Sequence, residues 1–199
     1  MSELFDRLST LFAASAHLGP RGLHDDARFV PEIVRPAAVL IAVTDRPEPG
    51  VILTWRPDTM PSHPGQVAFP GGKIEPGETP VEAALREAEE ELAIAPHHVR
   101  VIGEGTRFAT GSGFELTPVL GVIPPDLTIT PDPREVAGWF EAPLAFLLDP
   151  ANHVDKVGLF RGHERPYVEI MWQDHRIWGI TAGILRNLSH RLAYQELAR

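Results

Sequence analysis

GGKIEPGETPVEAALREAEEELAI, residues 71–94, places a glycine-containing loop directly before an amphipathic helix that has an acidic face. Thr79 is a favourable helix N-cap, Pro80 suits the first helical position, and Glu82 lies where a capping box needs an acid. At about 100° per residue, the apolar side chains of this helix share one face. The sequence therefore predicts a helix that begins after Thr79 and packs on a core.

Three glutamates of this helix, Glu87, Glu90 and Glu91, cluster on an adjoining face, within about 100° of arc. Like charges spaced i,i+4 each destabilise an isolated helix by roughly 0.2–0.5 kcal/mol, so this face is unfavourable unless a cation lies there. Carboxylate oxygens and backbone carbonyls are the ligands that Mg²⁺ prefers, and Gly71 and Gly72 let the backbone approach a ligand closely. A solvated acidic face is the common alternative. The spacing favours a metal site.

The same residues resemble a known signature. Gly72, five residues, Glu78, seven residues and then the run from Arg86 to Ile94 are similar to the Nudix box of hydrolases that act on a nucleoside diphosphate linked to another group. The near-terminal glycine of that box is Ala93 here, which is expected to alter the helix end more than the chemistry. The resemblance implies an α/β fold, a Nudix-type α/β/α sandwich with a mixed central sheet. It also implies a divalent cation, Mg²⁺ or Mn²⁺.

Residues upstream of the box resemble one branch of this family. The runs LTWR at 53–56 and GQVAFPGG at 65–72 are similar to an extra signature of coenzyme A pyrophosphatases. Pro57 and Asp58 stand where that branch has small residues, and Pro61 stands where a second arginine is expected. The resemblance implies cleavage of coenzyme A or acyl-coenzyme A to 3′,5′-ADP and the phosphopantetheine part.

Metal ligands and catalytic groups are expected within the box. Glu90 and Glu91 are the first ligand candidates, and Glu87 is either a ligand or the base that activates water. A carbonyl of Gly71 or Gly72 is expected to complete the metal shell.

Arg86 is expected to pair with Glu78 and so to join the loop to the helix; the alternative is an ordinary surface ion pair. Glu135, in the run PDPREVAGWF, is a candidate for an additional carboxylate that enters the site from a late loop. Exposure on the surface is the alternative for this glutamate.

Substrate phosphates need cations or hydrogen-bond donors, and Arg56, Lys73 and His63 are the candidates near the two signatures. A lone loop histidine is more often simply exposed, which is the alternative for His63.

The composition of the 199 residues limits the function further. The chain has no cysteine, which excludes disulfides and thiolate chemistry, and its formal net charge of −9 disfavours a nucleic-acid polymer as partner. No apolar run approaches the ~20 residues of a membrane span. We expect one soluble, cytoplasmic domain over residues 1–199 that acts on a small phosphorylated nucleotide derivative and needs no membrane. Both a monomer and a homodimer stay open.

The remaining predicted elements follow the hydrophobic patterns. They are an N-terminal helix and connecting segment in residues 1–36, strands at 37–44, 51–55, 66–69, 99–108, 114–123 and 136–140, a helical turn at 143–148, a hairpin of 156–160 with 167–172, and a closing helix from Ile180.

Two other functions remain open at this stage. The box residues are expected to act on a diphosphate, but they do not determine which groups are attached to it. ADP-ribose, a dinucleotide or a nucleoside triphosphate is therefore an alternative substrate. A Nudix-fold ligand sensor without turnover is a different class. The complete set of box acids and the absence of a basic DNA-binding segment favour an enzyme.

Overall fold

A computed structural model describes residues 2–15, 34–57, 65–160 and 162–193. Most of the predicted connecting segment, residues 16–33, therefore lies outside the described residues. The helices are α1 Glu3–Ala14, α2 Pro80–Leu92, α3 Leu144–Leu148 and α4 Ile180–Arg191. The strands are β1 Arg35–Thr44, β2 Gly50–Trp55, β3 Val67–Ala68, β4 Gly71–Lys73, β5 Arg100–Glu104, β6 Phe108–Ala109, β7 Phe114–Ile123, β8 Gly138–Pro143, β9 Val154–Phe160, β10 His163–Trp172 and β11 His175–Trp178.

Strand β1 is the centre of a mixed sheet. It pairs with β7 in parallel along its whole length, and with β2 and β4 in antiparallel fashion. The main order is β3-β2-β1-β7-β5, with β6 on β7 and β8 on β2. A second antiparallel sheet has the order β11-β10-β9. The mixed central sheet predicted from the sequence is confirmed.

Helices cover both faces of the main sheet. Alternate residues of a strand point to opposite faces, so Ala38, Leu40 and Ala42 of β1 pack in the cluster that includes the apolar face of α2. Val39, Ile41 and Val43 pack in the cluster that includes α1, α3 and α4. This layering is the expected α/β/α sandwich, and among the described helices α2 is the one on its face of the sheet. None of the described helices has the length and apolar character that crossing a bilayer requires.

Helix α2 begins as the sequence predicts and ends under strain. The Thr79 hydroxyl accepts a hydrogen bond from the Glu82 N–H, and the Glu82 carboxylate accepts one from the Thr79 N–H, which completes a capping box. At the other end Ala93 is left-handed, with φ 58°, and its N–H bonds to carbonyls of the last turn. An L-residue pays for this conformation, which glycine adopts freely.

Three sequence predictions differ from the observed strands. The single strand predicted at 99–108 is divided into β5 and β6, with a register shift between Val101 and Gly103. The strand predicted at 136–140 begins two residues later, because the Val136 N–H bonds to Asp132 in a turn. Strands β4 and β11 were not predicted, because three or four residues carry too little periodicity to identify a strand.

We predict that Ala93→Gly stabilises the protein by about 1 kcal/mol, because it removes the cost of a left-handed alanine. Chemical denaturation measures the change. Ala145→Gly is the matched control: Ala145 is exposed in right-handed α3, so glycine there should lower the unfolding free energy by about 0.5–1 kcal/mol. Destabilisation by both substitutions would contradict the strain at Ala93.

Candidate metal centre and active site

Three carboxylates meet beside α2. Oxygens of Glu87, Glu91 and Glu135 all lie within 4.8 Å of one another. Glu87 and Glu91 are one turn apart on the helix, whereas Glu135 comes from the loop between β7 and β8. Two of the three are half-buried, and Glu135 is exposed. This is a donor set of hard oxygens, with the composition that Mg²⁺ and Mn²⁺ bind.

The end of α2 holds the loop that carries Glu135. The Thr130 N–H donates to the Leu92 carbonyl at 3.0 Å, and the Asp132 N–H donates to the Glu91 carbonyl at 2.9 Å. The last carbonyls of a helix lack partners within the helix, so the loop satisfies them. The Glu135 N–H then bonds back to the Asp132 carbonyl at 3.1 Å. The helix that supplies two carboxylates therefore also positions the third.

Asp132 shapes this loop and is not among the clustered carboxylates. Its carboxylate accepts hydrogen bonds from the Arg134 backbone N–H and from the Arg134 guanidinium, with the shortest at 2.5 Å. These bonds lower the pKa of Asp132 to about 2. Asp132 therefore stays ionised and keeps the turn that precedes Glu135.

Two glycines allow β4 to lie against the acids. The Gly71 N–H donates to Glu91 Oε2 at 3.1 Å. A Cβ at Gly71 would overlap the Ala38 carbonyl, and a Cβ at Gly72 would overlap the Glu87 carboxylate. Any other residue at these two positions would push the strand away from β1 or from α2. The glycines expected to supply a carbonyl ligand are thus next to both helical carboxylates.

Arg86 joins the loop, the helix and the acids. Its Nε lies 2.7 Å from Glu78 Oε1, the pair expected from the sequence, and its Nη2 donates to the Lys73 carbonyl at 3.0 Å. Its Nη1 donates to Glu87 Oε1 at 2.9 Å and to Glu90 Oε2 at 3.1 Å. The hydrogen bonds from Arg86 lower the pKa of Glu78 below its usual range. Arg86 therefore orients Glu87 without entering the carboxylate cluster.

Glu90 departs from the expected arrangement. The sequence places it on one face with Glu87 and Glu91, but it is not part of the cluster and its side chain is 51% exposed. Around the helix axis Glu90 lies on the other side of Glu87 from Glu91, where it pairs with Arg86 at i,i+4. A helical arc of about 100° is too wide to place three short side chains at one point.

Burial and mutual repulsion disfavour the ionised form of the carboxylates in this cluster. Burial, followed by the charges of Glu87 and Glu135, raises the pKa of Glu91 to about 8, and the Gly71 N–H and the charge of Arg56 only partly oppose this. Burial also raises the pKa of Glu87 above its usual value, although Arg86 lowers it. A divalent cation at this point would reverse the balance, because it favours the ionised form of every carboxylate around it. The residues present therefore fit a metal.

The candidate phosphate ligands have different positions. Arg56 follows β2, and its positive charge acts to lower the pKa of Glu91. Lys73 ends β4 and is exposed. His63 and Pro61 lie outside the described residues.

Gly138 was missed by sequence reasoning. A Cβ at Gly138 would overlap the indole ring of Trp55 across the β2–β8 pair. Trp55 precedes Arg56, and its carbonyl accepts from the Ala137 N–H at 2.9 Å. Gly138 thereby sets how closely the strand after Glu135 approaches the strand that ends at Arg56. The only signal in the sequence is a glycine within a strand, which often marks a close approach.

We predict that Gly72→Ala weakens divalent-metal binding by about tenfold or more, because the new methyl group displaces the Glu87 carboxylate. Isothermal titration with Mn²⁺ measures the affinity. Gly77→Ala is the control: a Cβ there meets no atom within 4 Å, although φ is +94°. It should lower stability and leave metal affinity unchanged. Equal metal affinity in both variants would contradict the proposed contact.

Metal-free protein should lose stability as pH rises from about 5 to 8. In this range the folded state keeps a proton on Glu91, whose pKa is raised to about 8, and the unfolded chain releases it. The unfolding free energy therefore falls with pH. Glu91→Gln cannot titrate, and near pH 8 it should be more stable than the parent by about 2–4 kcal/mol. Denaturation in EDTA across this pH range measures both proteins; parallel profiles would contradict the shift.

A family model described as the NUDIX domain matches residues 34–160 of this chain. A relative from Escherichia fergusonii, described as an uncharacterized Nudix hydrolase NudL, is 45% identical over 157 residues, which cover 78% of this chain and 81% of the relative. A relative from Cronobacter sakazakii with the same description is 45% identical over the same shares of both chains.

Among solved structures, the protein DR0079 from Deinococcus radiodurans is similar over 82% of this chain and 88% of its own, with a TM-score of 0.52 and 16% identity. That likeness shows the fold alone. The family match and the identity to the two relatives go further: the chain belongs to the Nudix hydrolase family and is a pyrophosphatase enzyme of that family.

Proposed function

We propose that this enzyme cleaves coenzyme A or acyl-coenzyme A to 3′,5′-ADP and (acyl-)phosphopantetheine. The convergence of Glu87, Glu91 and Glu135 beside the glycine turn is the observation that carries diphosphate hydrolysis. The coenzyme A part rests on the resemblance of residues 53–56 and 65–72 to that branch, and on Arg56, whose charge reaches Glu91. The descriptions of the relatives from Escherichia fergusonii and Cronobacter sakazakii give no substrate.

The carboxylates of Glu87, Glu91 and Glu135 would hold Mg²⁺ or Mn²⁺, together with a carbonyl of Gly71 or Gly72. Such a cation would neutralise charge on the diphosphate oxygens and lower the pKa of a bound water. Because Nudix box metal sites bind phosphate as well, the cluster and the substrate would share the cation. The exposure of Glu135 leaves one side of the cluster open to the substrate.

The chain supplies the proton acceptor from the same group of acids. Glu87, which Arg86 orients, would act either as a ligand of the cation or as the base that removes a proton from water. Glu135, on its loop, is the second candidate for this role. Glu90, the other proposed ligand, would have to leave Arg86, which donates to its carboxylate at 3.1 Å, to reach the cation.

Arg56 and Lys73 would bind phosphate oxygens of the substrate. A guanidinium grips a phosphate through two parallel hydrogen bonds, whereas an ammonium acts as a point charge. His63, seven residues after Arg56 in the sequence, is proposed as a further phosphate contact. ADP-ribose, dinucleotides and nucleoside triphosphates remain the alternative substrates, since the same acids and cations would bind their diphosphates.

Incubation of the purified protein with Mg²⁺ or Mn²⁺ and a panel of coenzyme A, acetyl-coenzyme A, ADP-ribose, dinucleotides and nucleoside triphosphates tests the proposal. We expect coenzyme A or acetyl-coenzyme A to be cleaved fastest, with 3′,5′-ADP as a product. Cleavage of ADP-ribose or a dinucleotide with coenzyme A left intact would reject the branch and keep the family. Binding without turnover of any member would support a ligand sensor.

We predict that Glu91→Gln lowers kcat by at least about a hundredfold and weakens Mn²⁺ binding in parallel, because an amide is a poorer ligand for a hard cation. Glu89→Gln is the matched control, since Glu89 is an exposed glutamate of the same helix and should keep both properties. Circular dichroism checks that both variants fold. Parental turnover by Glu91→Gln would exclude the cluster as the metal site.

We predict that Arg56→Ala lowers kcat/KM for coenzyme A by about ten- to a hundredfold, the effect of about 1.5–3 kcal/mol from a charge-assisted hydrogen bond. Pro61→Arg should improve the KM for coenzyme A, because it restores the second cation of the branch signature. Dephospho-coenzyme A lacks the 3′-phosphate and is the control substrate. An identical response of both substrates to the two substitutions would show that these positions do not bind that phosphate.

A further inference from the structure

The loop between β7 and β8 makes a tight turn where it brings Glu135 to the carboxylate cluster. Asp132, Pro133, Arg134 and Glu135 are the residues of this turn. The Glu135 N–H donates to the Asp132 carbonyl at 3.1 Å, and the Val136 N–H donates to the same carbonyl at 2.9 Å. Aspartate is favoured at the first position of a β-turn and proline at the second. The residue types therefore suit the turn.

Each polar group of Asp132 has a partner in or beside this loop. Its N–H donates to the Glu91 carbonyl at 2.9 Å, which fixes the start of the turn on the end of α2. Its Oδ1 accepts a hydrogen bond from the Arg134 N–H at 2.9 Å. Residues of many types could form the backbone bonds, but only a short side chain with an acceptor can bind the Arg134 N–H from this position. That bond is the specific contribution of the aspartate.

The Arg134 guanidinium also pairs with the Asp132 carboxylate, with Nη2 2.5 Å from Oδ2. The Arg134 side chain is 83% exposed, whereas the Asp132 side chain is 19% exposed. Ion pairs of exposed side chains contribute little, because water and salt screen them. We therefore attribute the stability of the turn to the bond from the Arg134 N–H and not to the ion pair.

Glu135 needs a fixed backbone because the neighbouring carboxylates repel it. One oxygen of Glu135 lies within 4.8 Å of oxygens of Glu87 and Glu91, and Glu135 is exposed. Like charges at this separation favour a position of Glu135 farther out in water. The turn limits that movement, because the Glu135 N–H is bound to the Asp132 carbonyl and the Asp132 N–H is bound to α2.

We propose that the Asp132 side chain is a positioning residue for Glu135, and that hydrolysis depends on its hydrogen bond to the Arg134 N–H rather than on its charge. This role rests on the diphosphate hydrolysis proposed for the three carboxylates. Asp132 itself touches neither the cation nor the substrate; it fixes the backbone from which the Glu135 carboxylate reaches them. Loss of a partner that orients a metal-binding side chain typically lowers metal affinity or activity by about ten- to a hundredfold.

Three substitutions separate the hydrogen bond from the charge. Turnover is measured at saturating Mg²⁺ on the panel substrate that is cleaved fastest, and Mn²⁺ affinity is measured by isothermal titration. Asp132→Ala removes the acceptor and should lower both kcat and Mn²⁺ affinity by about tenfold or more, with KM nearly unchanged. Asp132→Asn keeps an acceptor oxygen without the charge and should restore both properties. Arg134→Ala removes the ion pair, keeps the backbone N–H and should match the parent.

A double-mutant cycle distinguishes the positioning of Glu135 from a general effect on the fold. Glu135→Gln should lower kcat and Mn²⁺ affinity. Adding Asp132→Ala to this variant should lower neither further, because no carboxylate remains to be positioned. Losses that multiply in the double variant would overturn the proposal. Parental values in Asp132→Ala, or an equal loss in Asp132→Asn or Arg134→Ala, would overturn it as well.

These outcomes are distinct from a failure of the proposed function. If coenzyme A is not cleaved, the cycle still reads kcat on any other diphosphate of the panel, and Mn²⁺ binding needs no substrate. Circular dichroism checks that each variant folds. If Asp132→Ala does not fold, Asp132→Ser takes its place, because a hydroxyl accepts the same bond more weakly and should cause a loss that Asp132→Asn does not. Equal values for the serine and asparagine variants would then overturn the proposal.

Discussion

The close approach of the glycine turn to α2 is the constraint on which the site depends. The Gly71 N–H reaches the Glu91 carboxylate, and the absence of a side chain at Gly72 leaves space for Glu87. Arg86 fixes the same junction from the other side through the Lys73 carbonyl and Glu78. The pairing of β4 with β1 then holds the turn on the central sheet. If this junction moved, the spacing of both helical carboxylates would change with it.

This arrangement opposes stability in the absence of a cation. Half-buried carboxylates that repel one another destabilise the folded state. Burial, followed by the charges of Glu87 and Glu135, raises the pKa of Glu91 to about 8. The capping box and the apolar face of α2 offset part of that cost. A metal ion would offset this repulsion, because its two positive charges would lie between carboxylates of which only Glu87 is paired with Arg86 in the described part of the chain. An active site that is destabilising when empty is a common compromise in enzymes.

Local signals in the sequence predicted α2 closely. The N-cap, the capping box and the apolar periodicity are properties of neighbouring residues, and the structure begins the helix at Pro80 as they indicate. The long strand β7 was likewise predicted at its observed bounds, because its apolar run is bounded by turn residues. The break between β5 and β6 was not predictable in the same way. It depends on the register against β7, which involves residues distant in the sequence.

The site could be predicted from the sequence only where the resemblance to the Nudix box supplemented the local helical pattern. Helical periodicity grouped Glu90 with Glu87 and Glu91, but it could not show that Arg86 pairs with Glu90 outside the cluster. The position of Glu135 depends on two backbone hydrogen bonds between its loop and the end of α2, which leave no trace in residue type.

In the proposed site the carboxylates of Glu87, Glu91 and Glu135 bind one divalent cation. An anomalous difference map from crystals grown with Mn²⁺ tests it most directly. We expect a manganese peak bonded to oxygens of Glu87 and Glu91, at about 2.0–2.3 Å, with Glu135 bound directly or through water. A peak elsewhere, or no peak at a Mn²⁺ concentration that supports turnover, would contradict it.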